Sequence, residues 1–211
     1  VAFDVMFAEA ERNPVNSVIK LLQDKSESQL LIEQISPFIA NADADAIMAE
    51  SLGLMDVVLG MAFQVDPNVQ VGEMPPSVIT FDTKDTEHLH SHVFYGYTNN
   101  ISVLQDNSPG TGFINSTPDK DSFIRTTSLI AQYNGIFYPS LALEAAKLYT
   151  LADEIQVVTA DLNSSRSITG IKLGRKVIPT DEFGRVLIPF KGGAKSYPYI
   201  SATDLLHDEI D

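Results

Sequence analysis

Val57-Val-Leu-Gly-Met-Ala-Phe63 is an unbroken apolar run of strand length, and such runs belong to central parallel strands covered on both faces. Upstream, Val1-Ala-Phe-Asp-Val-Met-Phe7 reads as a second buried strand that begins without any polar lead-in. Three helical patterns lie between them. Asn13-Pro14 supplies an N-cap and a first helical residue, after which Val15, Val18, Ile19 and Leu22 recur at helical spacing. Leu31, Ile32, Ile35 and Phe38-Ile39 repeat the pattern until Pro37 ends or kinks it near Ser36. After Asp43 or Asp45 a third helix places Ala44, Ile47, Met48 and Leu52 on one face and stops at Gly53. Strand, helices, strand predicts a βα-type unit around a parallel sheet.

Downstream of Phe63 the order loosens. The segment at about 64–92 holds Pro67, Gly72, Pro75 and Pro76 with one strand, around Val78 to Phe81, and reads as a surface excursion. Strands return at 93–97, 111–115 and 123–130, separated by the turn-rich 106–110 and 117–121. Tyr138-Pro139-Ser140 opens a helix whose Leu141, Ala142, Ala145, Leu148 and Tyr149 form one apolar stripe, a core face. From Ile155 the period changes to two, through 155–159, 167–173, 176–178 and 185–190. Gly174-Arg175 and the 180–184 segment supply the turns of an antiparallel meander, and Ser201 to Asp204 opens a last short helix with a capping box. The expected fold is therefore α/β: a mostly parallel central sheet flanked by helices, with an antiparallel β meander in the C-terminal third. Residues 1–211 read as a single domain, truncated at its N-terminus because Val1 already lies within a strand.

Composition narrows the function classes. The 211 residues are 44% hydrophobic and 20% charged, enough apolar surface for a packed core. With 14 Lys plus Arg against 28 Asp plus Glu, the net charge of −14 repels a phosphate backbone, so nucleic acid is not an expected partner. The absence of cysteine excludes disulfides, thiolate nucleophiles and Cys-type zinc sites. No window approaches the roughly 20 apolar residues of a membrane span, and the segment reads as soluble.

Few residues carry chemistry. Asp4 interrupts an apolar strand, where a carboxylate is costly unless it reaches the strand's end or a partner. Carboxylates at the ends of parallel strands face the crevice where open α/β sheets bind ligands. Asn115, Asp119, Asp121 and Arg125 bracket a strand; Arg125 can hold an anionic ligand or close the loop by an ion pair. In His88-Leu-His-Ser-His92 alternate imidazoles on a strand share one side, a pattern that suits zinc or a pH response, or simply a solvated loop. A Ser-His-Asp triad has to recruit one of these histidines or His207, and there is no G-x-S-x-G elbow, P-loop or dinucleotide cradle. No cofactor is expected.

Ala2-Phe-Asp-Val-Met-Phe-Ala-Glu9 resembles the FDvlFaE strand of the second type of CHASE domain, the cyclase and histidine-kinase associated sensory extracellular domain, in which roughly a strand and a helix come before the stretch that begins at Val1. The similarity continues through 56–60, through Gly112-Phe-Ile-Asn115, 118–121 and Ile124-Arg125, and through Tyr138-Pro-Ser-Leu-Ala-Leu-Glu144. It ends in 178–181 with Gly184-Arg185, and in Ile200-Ser-Ala with Leu205-Leu206. Ser122 stands where the family has a glycine. The resemblance implies the periplasmic or extracellular portion of an inner-membrane protein, held between flanking transmembrane helices that lead to a cytoplasmic effector. That effector is commonly an adenylate or guanylate cyclase, otherwise a histidine kinase, a Ser/Thr kinase or a diguanylate cyclase.

The expected function is a non-catalytic ligand-sensing input domain with Asp4, Asn115, Asp121 and Arg125 as its candidate ligand-binding residues. Its expected partners are an unidentified small-molecule or periplasmic protein stimulus, the flanking membrane helices and effector of the same chain, and a second copy in a homodimer. Two readings from other classes stand beside it: a periplasmic metal-assisted hydrolase built on His88, His90 and His92, and a structural module that dimerises and spaces membrane helices.

Overall fold

A computed structural model of the chain describes residues 1–23, 29–162, 165–193 and 196–207. The N-terminal part runs β1 (Ala2–Phe3), α1 (Pro14–Leu22), α2 (Gln29–Ile35), two 3-10 turns (Ser36–Phe38 and Ala40–Ala42), α3 (Ala44–Gly53) and β2 (Val58–Gln64). Then come β3 (Gln70–Val71), β4 (Ile79–Phe81), β5 (His92–Phe94), β6 (Gly96–Thr98), α4 (Ser102–Gln105) and β7 (Gly110–Phe113). β8 (Thr126–Ser128), β9 (Ile130–Tyr133) and β10 (Ile136–Pro139) lead to α5 (Leu141–Thr150). The last part is β11 (Ile155–Leu162), β12 (Ser165–Leu173), β13 (Lys176–Pro179), β14 (Arg185–Leu187) and α6 (Ala202–Leu206).

β2 is the spine. Its first half pairs in parallel with β1 on one side and β7 on the other, and its last residues pair antiparallel with β6, which carries β3 in parallel. Its residues alternate in what they meet, as a strand buried on both faces requires. Val57 and Leu59 pack with Ala49 and Leu52 of α3 and Leu104 of α4, while Val58 lies on the side of Ala145 and Leu148 of α5. Further along, Met61 and Phe63 enter an aromatic cluster with Phe113, Tyr133 and Tyr138.

The rest of the molecule is built from smaller sheets. β10 pairs antiparallel with β9, which runs parallel to β5. β11, β12 and β13 form the expected antiparallel meander, turning at Gly174 with its φ of +57°. Three pairings go beyond the sequence reading. The segment at 64–92 runs largely along the surface but is tied down: β3 joins the first sheet, β4, the strand expected around Val78 to Phe81, lies parallel to β11, and Leu89 is buried with the largest core cluster. β14 leaves the meander and pairs with β8 instead. The turn that redirects it is held by Asp181, whose Oδ1 accepts from the backbone N–H groups of Phe183 and Arg185, with Gly184 at φ +75°.

The helices begin where their caps demand. Asn13 accepts from the N–H groups of Val15 and Asn16, Asp43 from Ala46, Ser140 from Leu143 and Ser201 from Thr203. Two helical faces differ from expectation. On α3 Leu52 is buried and Met48 packs against the core as expected, but Ala49 is buried with them and Ile47 faces solvent. On α5 they are Leu143 and Glu144, while Tyr149 is 90% exposed. Tyr138 and Pro139 close β10 rather than opening the helix. Among the described residues no helix is long and apolar enough to cross a membrane.

Candidate ligand-binding site

Two paired glycines decide what gathers at the carboxyl ends of the parallel strands. Gly60 and Gly112 are register partners, so their missing side chains leave gaps on one face of the sheet. A Cβ at Gly60 would meet the Phe3 carbonyl oxygen at 2.8 Å, and one at Gly112 would meet the Leu141 N at 2.5 Å. The N-terminal segment and the start of α5 therefore cross this face in close contact. They border an open, shallow cavity of about 190 Å³ lined by Asp4, Asn115, Ser116, Thr127, Ser140 and Leu141.

Asp4 thus stands just past the end of β1, exposed, where the buried-strand reading placed it inside. Asn115 shares the cavity with it but spends both polar atoms on the backbone of Phe63. Its Oδ1 accepts from the Phe63 N–H at 2.7 Å, and its Nδ2 donates to the Phe63 carbonyl at 2.9 Å. A buried pair that sequence reading passed over does similar work nearby. Asn100 accepts from the Phe7 N–H and donates to the Gly60 carbonyl, while Asn99 donates to the Glu73 carbonyl.

Asp121 and Arg125 lie apart from that cavity. Arg125 makes a two-pronged bond to Asp121, at 2.9 and 2.8 Å, and reaches Asp119 at 3.2 Å. This clamp holds the Asp121 carboxyl below its ordinary range and closes the loop in which Ser122 adopts φ +66°, a left-handed conformation natural to the family's glycine. Both side chains are half exposed in solvent; their geometric effect is to fix the loop carrying Pro118, Asp119 and Lys120.

That loop forms one wall of a second, polar cavity of about 280 Å³, also lined by His92, Thr126, Ser128 and Arg185. The two cavities lie on opposite faces of β8, because Thr127 points to the first while Thr126 and Ser128 point to the second. Ser128 is opposite Arg185 in the β8–β14 pair, and its Oγ lies 3.0 Å from His92 Nδ1. Arg185 donates from Nε to Asp181 Oδ2 at 2.7 Å and stacks on the Phe183 ring. Burial, and then the Arg185 guanidinium, push the His92 imidazole below its ordinary value of 6.5, with Asp181 opposing. The cavity therefore offers a neutral imidazole, three hydroxyls from Thr117, Thr126 and Ser128, the Asp119 carboxylate and two cationic side chains, an arrangement suited to holding a small polar molecule.

Sequence reading isolated His92, Asp119 and the clamp but not Ser128, Lys120 or Arg185. The three loop histidines are not brought together: His88 sits in a turn and His92 starts β5. Among the described residues no three His, Asp or Glu side chains are grouped to hold a metal ion. Ser128 and His92 form a hydroxyl–imidazole pair, but no carboxylate bonds the other ring nitrogen of His92 among the described residues, so the orienting third member of a triad is missing.

The family model of the CHASE2 domain matches residues 1–211, and the chain belongs to that family of extracellular sensory domains. Comparison with the curated proteins and with the solved structures finds no match to either.

Proposed function

We propose that this chain is the extracytoplasmic, non-catalytic ligand-sensing region of a bacterial transmembrane receptor that controls a cytoplasmic adenylate or guanylate cyclase. The same input suits a histidine or Ser/Thr kinase. The observation that carries the reading is the pair of cavities sharing β8, on a chain of a sensory family. Asp4 and Asn115 line one, and the Arg125–Asp121 clamp shapes the wall of the other. A molecule seated in either cavity bears on β8, whose backbone pairs with β14 beside the clamp residue Arg125, whose carbonyl accepts from the Ile188 N–H. Output follows only if its affinity differs between two conformations of the chain.

The test is effector output of the full-length protein in membranes, with wild type compared with Arg185→Ala and Arg125→Ala. The proposal expects both variants to keep the wild-type fold, measured by melting of the isolated chain, and to shift the balance of cyclase or kinase output. Unchanged output from both removes these cavities as the input site.

A further inference from the structure

Glu144 is 2% exposed, and only half of its carboxylate is satisfied. Lys147 Nζ donates to Oε1 at 2.9 Å, while Oε2 is buried and has no partner among the described residues. A buried carboxylate oxygen without a donor is costly. The fold makes room for it: a Cβ at Gly110 would lie 2.8 Å from Glu144 Oε1. Nearby, Gln105 Nε2 donates to Thr111 Oγ1 at 2.6 Å, and the buried Gln105 Oε1 has no partner among the described residues either.

Both orphan acceptors belong to residues lining one cleft of about 360 Å³, distinct from the two cavities beside β8. Met74, Val78 and Tyr138 give it apolar walls, and the carboxylates of Glu73 and Asp106 stand at its exposed edge. No Lys or Arg lines it among the described residues. One water occupies about 30 Å³, so the cleft is far larger than a single bridging water needs.

We infer that this cleft binds a small organic cation, an ammonium or amidinium head on an apolar body, whose N–H donors satisfy Glu144 Oε2 and Gln105 Oε1. Glu144 is already paired with Lys147, so the exposed carboxylates of Glu73 and Asp106 balance the ligand's charge, and the apolar walls take the body. A metal ion is disfavoured because no three acidic or histidine side chains converge here among the described residues. The inference does not rest on the receptor reading, since binding is measured on this chain alone.

The experiment is calorimetric titration and thermal melting with putrescine, phenethylamine and benzamidine, each beside its uncharged counterpart butane-1,4-diol, 2-phenylethanol or benzamide. At least one cation binds saturably and raises the melting temperature, and its counterpart binds about tenfold more weakly or less. Glu144→Gln lowers the cation's affinity by about tenfold. Asp106→Asn, at an exposed position, lowers it by about two- to threefold and flattens its dependence on salt. The Asp106 variant decides the matter if Glu144→Gln does not fold. Equal binding of cation and counterpart, no saturable binding by any of the three, or full affinity in the variant that folds overturns the assignment; the second result means that the cleft holds water only.

Discussion

Asn115 and Asp4 share a cavity but differ in what their removal does. Asn115→Ala strips two hydrogen bonds from the nearly buried Phe63 backbone and is expected to cost about 2 kcal/mol, a fall of roughly 4–8 °C in melting temperature. Asp4→Asn, at an exposed position, leaves the melting temperature unchanged. Equal effects would contradict this division between a backbone staple and a free carboxylate. His92 makes a pH prediction. Its folded value lies below 6.5, so the unfolded chain takes up this proton first; stability is full above about pH 6.5 and is lost as pH falls from there toward the folded value. Melting between about pH 7.5 and 5.5 should show a fall for wild type that is smaller in His92→Gln, and identical profiles would contradict it. At this scale the sequence singles out polar residues with chemical potential but not the neighbours that the fold gives them. His92, Ser128 and Arg185 are separated by long stretches of chain, and no spacing rule joins them.

Gly112 tests whether the close crossing of α5 over β7 builds the strand-end cavity. Alanine there would place its Cβ against the backbone of Ser140 and Leu141, which cannot yield as a flexible side chain does. The expected cost is about 3 kcal/mol, seen as a large fall in melting temperature, whereas Gly193→Ala has open space and stays within about 0.5 kcal/mol. Similar melting of the two variants would remove the crossing from the account. Element identity was largely readable. The caps at Asn13 and Ser201, the cap at Asp43 rather than Asp45, the apolar run of β2 and the Gly174 hairpin stand where the residues place them, whereas the fifth helix starts after Ser140 and not with Tyr138-Pro139. The faces of α3 and α5 were less readable. An apolar stripe implies a core face only when nothing better is buried, and α5 buries Glu144 beside Leu143 while leaving Tyr149 outside. The signal available was a glutamate set inside Leu-Ala-Leu-Glu-Ala-Ala, a charge amid apolar neighbours.

Across the whole molecule, the pairings that shape the candidate sites are long-range. β4 reaches β11 and β14 reaches β8, joining the 64–92 segment and the end of the meander to the body. Alternation within a strand reveals its faces and not its partner, so these contacts were out of reach of pattern reading. The α/β class, the parallel start around β1, β2 and β7, and the sensory family were within reach, because each rests on local runs or ordered motifs. A receptor's input region must be joined to a membrane and an effector, and the gene read outward from Val1 and Asp211 decides whether this one is. An apolar span of about 20 residues is expected upstream, and further spans downstream that lead to a cyclase or kinase domain. A cleavable signal peptide upstream with a stop codon soon after Asp211 would contradict the receptor reading, because a freely secreted protein has no effector to control.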